Sequence, residues 1–66
     1  MNYIERMKIE LNELQNRYNK LETFMKNEKF NDIDYAKRIL MMKQKKVMKS
    51  YISILVLRLK LEGENI

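Results

Sequence analysis

The chain has 66 residues, 14 Lys and Arg against nine Asp and Glu, a formal net charge of +5, and no His, Cys, Pro or Trp. Without His and Cys it lacks the commonest general base, the strongest nucleophile, the usual zinc ligands and any disulfide. The single glycine, Gly63, lies near the C-terminus, so no phosphate-cradling glycine loop exists.

The first predicted element is a helix over about 2–26, roughly 37 Å long. Ile4, Met7, Leu11, Leu14, Tyr18, Leu21 and Met25 recur at spacings that alternate three and four. This is the seam of a coiled coil or a helical hairpin. Phe24 widens the seam at its C-terminal end. A loop follows over about 27–33, where Lys26-Asn27-Glu28-Lys29-Phe30-Asn31-Asp32-Ile33 breaks the pattern. Phe30 and Ile33 are placed to pin that loop against the helix ends.

A second helix is predicted over about 34–62. Asp32 or Asp34 supplies a cap and negative charge at the positive end of its dipole. Ile33, Leu40, Val47, Ile54 and Leu61 recur every seven residues, with Met48, Tyr51 and Leu55 on the same side. Gly63 is the C-terminal stop. The segment Tyr51 to Leu59 is rich in β-branched and aromatic residues and, in isolation, suits a strand. The helical period runs through it, so helix is expected. The fold class is therefore all-α: one domain, a two-helix antiparallel hairpin that self-associates into a helical bundle.

Self-association is expected for two reasons. A chain this short rarely obtains more than about 3–5 kcal/mol from its own core, and the common staples are missing. The second helix also carries more apolar surface than one partner covers. Ile52, Val56 and Leu59 are assigned to an outward oligomer interface, in a dimer or a tetramer.

Charge is unevenly distributed. From Tyr35 to Lys60 there are eight cations (Lys37, Arg38, Lys43, Lys45, Lys46, Lys49, Arg58, Lys60) and no carboxylate. Like charges four residues apart destabilise a helix, so an anionic partner is the expected compensation. A merely solvated face is the ordinary alternative. Arg38, Lys45, Lys49 and Lys60 are expected to draw a stripe on the outer face. Gln44 and Arg58 fall in the expected apolar seam, where a buried Arg must be paired. Arg58 paired with Glu5 would be structural. Arg58 from several chains, with Tyr3, Tyr51 or Tyr18, would instead hold a phosphate and stack a base. Candidate ligand-binding residues are Arg58, Tyr51, Lys45, Lys49, Tyr3 and Gln44. No cofactor is expected. The pairs Glu10/Glu13 and Glu62/Glu64 suit solvated helix positions better than a metal.

The pattern Leu11-x-x-Leu14, Lys20-Leu21-x-x-Phe24, a loop with Phe30, then Gln44-x-x-x-Met48-x-x-Tyr51-x-x-Ile54-Leu55-x-x-Arg58 resembles a family of small bacteriophage proteins. That family is named after a protein of a crAss-like gut phage, and its members look like short helical hairpins. The chain departs from it in Asp34-Tyr35-Ala36-Lys37-Arg38, where such proteins are rich in Glu, and at Val56 and Leu57, where acidic residues are common. The resemblance implies a non-structural phage accessory protein that counters host defence. It would sequester a signalling nucleotide or block a host protein.

Together these readings give a non-enzymatic, oligomeric protein that sequesters a phosphate-bearing ligand such as an immune signalling nucleotide. The alternatives are an inhibitor or adaptor that docks a host protein through the second helix, and direct nucleic-acid binding. The longest uncharged run, Ser50 to Leu57, is eight residues, far short of the roughly 20 that span a bilayer. No secretory signal is recognisable, since Glu5, Arg6, Lys8 and Glu10 interrupt any apolar stretch. The expected location is the host cytoplasm.

Overall fold

The computed structural model describes residues 2–66. Two helices, α1 (Tyr3–Met25) and α2 (Tyr35–Leu61), are joined by a short 3-10 segment, Glu28–Asp32. They pack antiparallel into a rod 44 Å long. Among the described residues no helix is long and apolar enough to cross a membrane.

Each boundary has a local cause. Asn2 caps α1: its side-chain oxygen accepts from the Glu5 backbone N–H at 2.9 Å, satisfying one of the orphan donors of the first turn. Asn27 repeats the device in the connection, accepting from the Lys29 N–H at 2.9 Å. Phe30 is buried there and meets Phe24 edge to face, with ring centroids 6.1 Å apart. Asp34 occupies the cap position of α2 but makes no side-chain capping bond. Its charge alone serves the helix dipole. At the far end Gly63 adopts φ +84°, a conformation that favours glycine. The Glu64 N–H reaches the Leu59 carbonyl at 3.0 Å and the Gly63 N–H reaches that of Lys60 at 3.0 Å, closing α2 with a Schellman motif.

The α1 seam lies as its spacing predicts. Met7, Leu11 and Leu14 are buried, while Ile4, Tyr18, Leu21 and Met25 are half-buried. The expected phase of α2 is corrected. Its inward row is Arg38, Met41, Lys45, Met48, Ile52, Leu55 and Leu59, again spaced alternately by three and four. Leu55 and Leu59 are 0% exposed and form the core with Met7, Leu11 and Leu14, against which Ile4, Met48, Ile52 and Val56 pack. Ile52, Val56 and Leu59, expected on an outward oligomer face, therefore belong to the hairpin's own interior. The expected seven-residue row faces away: Leu40, Val47, Ile54 and Leu61, with Leu57, are between 53% and 88% exposed.

Relative to expectation, α2 is turned by about a third of a revolution. The expected phase would have sunk Arg58 and Gln44 among apolar side chains, and an unpaired buried cation costs several kcal/mol. In the observed phase both are exposed. The inward row nevertheless carries two cations: Lys45 is paired with Glu22, and the Arg38 Nε is buried without a hydrogen-bond partner among the described residues.

Candidate functional site

The spacing of the expected ligand-binding residues along α2 divides them between two opposite edges of the hairpin. Residues 49 and 51 are about 200° apart on a helix, so Lys49 and Tyr51 cannot line one pocket in a single chain.

One edge carries Gln44, Tyr51 and Arg58 in a row spaced by seven. Here α1 supplies carboxylate and phenol partners across the helix interface. The Tyr51 hydroxyl donates to Glu10, and the Tyr3 hydroxyl donates to Glu62 Oε2 at 2.8 Å. That bond, made to a carboxylate, raises the Tyr3 phenol above its ordinary pKa. Both tyrosines are thus committed to holding the helices in register. Arg58 is exposed. The ion pairs among the described residues join Lys8 to Glu64, Arg17 to Glu13, Lys26 to Glu22 and Lys45 to Glu22. The expected Arg58–Glu5 pair is not among them.

The other edge carries Lys45 and Lys49, one turn apart. Lys45 Nζ lies 3.3 Å from Glu22 Oε2 and 5.7 Å from the centre of the Tyr18 ring. The cation is held by a carboxylate and by a π face together. Lys26 approaches the same carboxylate at 3.6 Å. The hydrogen bond from Lys45, followed by the charge of Lys26, holds Glu22 below the usual glutamate range. A depressed carboxylate contributes stability above its unfolded pKa and loses it as pH falls through the lower folded value. Glu22→Gln should therefore be destabilising near neutral pH, with the gap to the native chain closing as pH drops below the ordinary glutamate range. Parallel thermal melts over that interval measure it.

Beside this cluster the helices leave a cleft of about 420 Å³. Gln15, Asn16, Tyr18 and Asn19 line it from α1, and Lys49, Ile52 and Ser53 from α2. It is an open groove: of its lining residues only Tyr18 and Ile52 are half-buried, and the others are exposed. The Ser53 hydroxyl donates to the Lys49 carbonyl at 3.2 Å, which leaves its lone pairs free to accept. A second groove of about 440 Å³, lined by Asn19, Lys20, Thr23, Phe24 and Asn27, adjoins the first at Asn19.

Of the expected residues, then, Lys49 lines the cleft, and Lys45 lies one turn away, held by Glu22 and Tyr18. Gln44, Tyr51, Arg58 and Tyr3 lie on the opposite edge. The amides Gln15, Asn16 and Asn19 were not expected. Their signal was present in the sequence: Asn12, Gln15, Asn16 and Asn19 fall on one side of α1, where Glu and Lys are the better helix-forming surface residues. Among the described residues no three His, Cys, Asp or Glu gather where they could hold a metal ion.

Comparison with known proteins adds one relationship. No curated protein and no solved structure matches the chain. A family model described as Sequestin matches residues 1–61, which takes in both helices and the loop. The chain belongs to the Sequestin family.

Proposed function

We propose that this hairpin is a non-enzymatic sequestering protein that captures a phosphate-bearing small molecule, a host immune signalling nucleotide, for a bacteriophage acting in the host cytoplasm. The observation that carries the reading is α2, with eight cations and no carboxylate from Tyr35 to Lys60, whose Lys49 lines an open groove between the helices, with Lys45 one turn away. The family's name agrees with binding rather than turnover, and so does an inventory without His or Cys.

Self-association belongs to the same proposal, through a face different from the one first expected. Leu40, Val47, Ile54 and Leu61 form an open row with the seven-residue period of a coiled-coil seam. A complementary row is available on α2 of a second copy. The outer side of α1 offers mainly Ile9 and Tyr3. Six buried residues among those described are a small core for a free-standing chain, and pairing the open rows would supply what is missing. Pairing also brings two basic helices together, a cost that a shared anion offsets.

The same exposed row favours a second reading, docking of an amphipathic helix from a host protein. Native mass spectrometry of protein purified from cells without denaturation separates the two. The proposal expects a discrete oligomer carrying several hundred daltons of bound ligand. A strictly monomeric chain free of small ligand would refute it and favour a protein target. Direct nucleic-acid binding would instead show as generic affinity that collapses steeply with salt.

A further inference from the structure

We infer that the cleft between α1 and α2 is the seat of a nucleobase, with Lys49 meeting the phosphate of the same nucleotide. The inference rests on the sequestering reading above and specifies how the ligand is recognised.

The reasoning begins with donors and acceptors. A phosphate at neutral pH offers acceptors only, so a site built for phosphate alone presents donors. The α1 rim of the cleft is different. Gln15, Asn16 and Asn19 each present a carbonyl oxygen beside an amide NH₂. Three mixed donor–acceptor groups within about one turn and a half suit a ligand edge that also mixes donors with acceptors. The edges of nucleobases have that character, and paired donor and acceptor contacts from Asn or Gln to adenine are a common way of reading one. Ser53, with its proton committed to the Lys49 carbonyl, adds an acceptor on the facing wall.

The remaining walls fit the remaining parts of a nucleotide. Ile52 and Tyr18 give the cleft an apolar floor on which a flat heterocycle can rest. Lys49 is the cation in the lining. Its neighbour Lys45 is already held by Glu22 and Tyr18, so Lys49 is the better placed of the two to meet a phosphate. The site thus divides its work: amides read the base, and a lysine holds the charge.

The test uses nitrogen-15-labelled full-length protein, in which side-chain amide resonances are directly visible. It is titrated with adenosine 5′-monophosphate and, separately, with ribose 5-phosphate. The nucleotide is expected to shift the side-chain amides of Asn16 and Asn19 and to bind at least about tenfold more tightly than the sugar phosphate, the equivalent of one or two hydrogen bonds. The double substitution Asn16→Ala with Asn19→Ala, which raises helix propensity and keeps the fold, should erase that preference while leaving ribose 5-phosphate affinity unchanged. Lys49→Gln should weaken both ligands by roughly fivefold. Equal binding of the two ligands, or nucleotide shifts confined to the Gln44, Tyr51 and Arg58 edge, would overturn the base site and leave anion capture standing. Failure of both ligands to bind at millimolar concentration would overturn both.

Discussion

Leu59→Ala is expected to unfold most of the protein rather than merely to weaken its self-association. Leu59 is 0% exposed and packs in the cluster formed by Met7, Leu11, Leu14 and Leu55. Truncating a fully buried leucine costs about 2–5 kcal/mol, through lost apolar transfer and the cavity left behind. A hairpin of this size has roughly 3–5 kcal/mol to lose, so the substitution consumes most or all of it. Leu61, two residues on, is 88% exposed, and Leu61→Ala in an isolated hairpin should change stability by no more than about 0.5 kcal/mol. Far-ultraviolet circular dichroism of both variants at low protein concentration checks the pair. Had Leu59 lain on an outward face and Leu61 in the seam, as the sequence first suggests, the pattern would reverse: Leu61→Ala would lose helicity and Leu59→Ala would keep it. The comparison therefore tests the phase of α2 directly.

That phase marks the boundary of what was legible. In α1 the apolar row is the only continuous one, and apart from Tyr3, Ile9 and Phe24 polar residues fill the other positions. One reading was available, and Met7, Leu11 and Leu14 are buried accordingly. In α2 two apolar rows with helical spacing coexist. One passes through Leu40, Val47, Ile54 and Leu61, the other through Met41, Met48, Ile52, Leu55 and Leu59. Periodicity alone cannot rank them, because both repeat with the same period. The polar residues do not rank them either: the first row, widened to Tyr51 and Leu55, draws in Gln44 and Arg58, and the second draws in Arg38 and Lys45. The phase is visible only in the packing, where Leu55 and Leu59 close on Met7, Leu11 and Leu14.

The candidate site was less legible for a related reason. Lys45 and Lys49 were identified from charge, which needs no knowledge of phase. Their grouping with Tyr51 and Arg58 in one chain fails on helix geometry alone, in any phase, and Tyr51 and Tyr3 hold the opposite edge. The Glu22–Lys45–Tyr18 cluster needed the register of the hairpin, fixed jointly by the loop and by both seams. Amides on a helix surface read as neutral filler until the facing helix supplies Lys49 and Ser53 and turns the rim into a cleft.

Val47→Glu with Ile54→Glu is expected to leave the hairpin folded and abolish its self-association. Both residues lie on the exposed row, 68% and 53% accessible, so the carboxylates enter solvent and the core is untouched. Their helix propensity improves as well, since Glu is a better helix former than Val or Ile. Between two copies the effect reverses. A carboxylate in a paired apolar seam loses its hydration, and two such positions per chain cost an association several kcal/mol, equivalent to a loss in affinity of a thousandfold or more. The new carboxylates also enter the stretch from Tyr35 to Lys60 that otherwise has none, lowering its positive potential by two charges per chain. Binding of a phosphate ligand should consequently weaken, and weaken less at high salt, where screening has already removed part of the attraction. Sedimentation velocity set beside helicity by circular dichroism measures the first half, and titration with a phosphate ligand at low and high salt measures the second. A monomer of native helicity supports the exposed row as the self-association face. An oligomer that survives the double substitution places that face elsewhere on the hairpin.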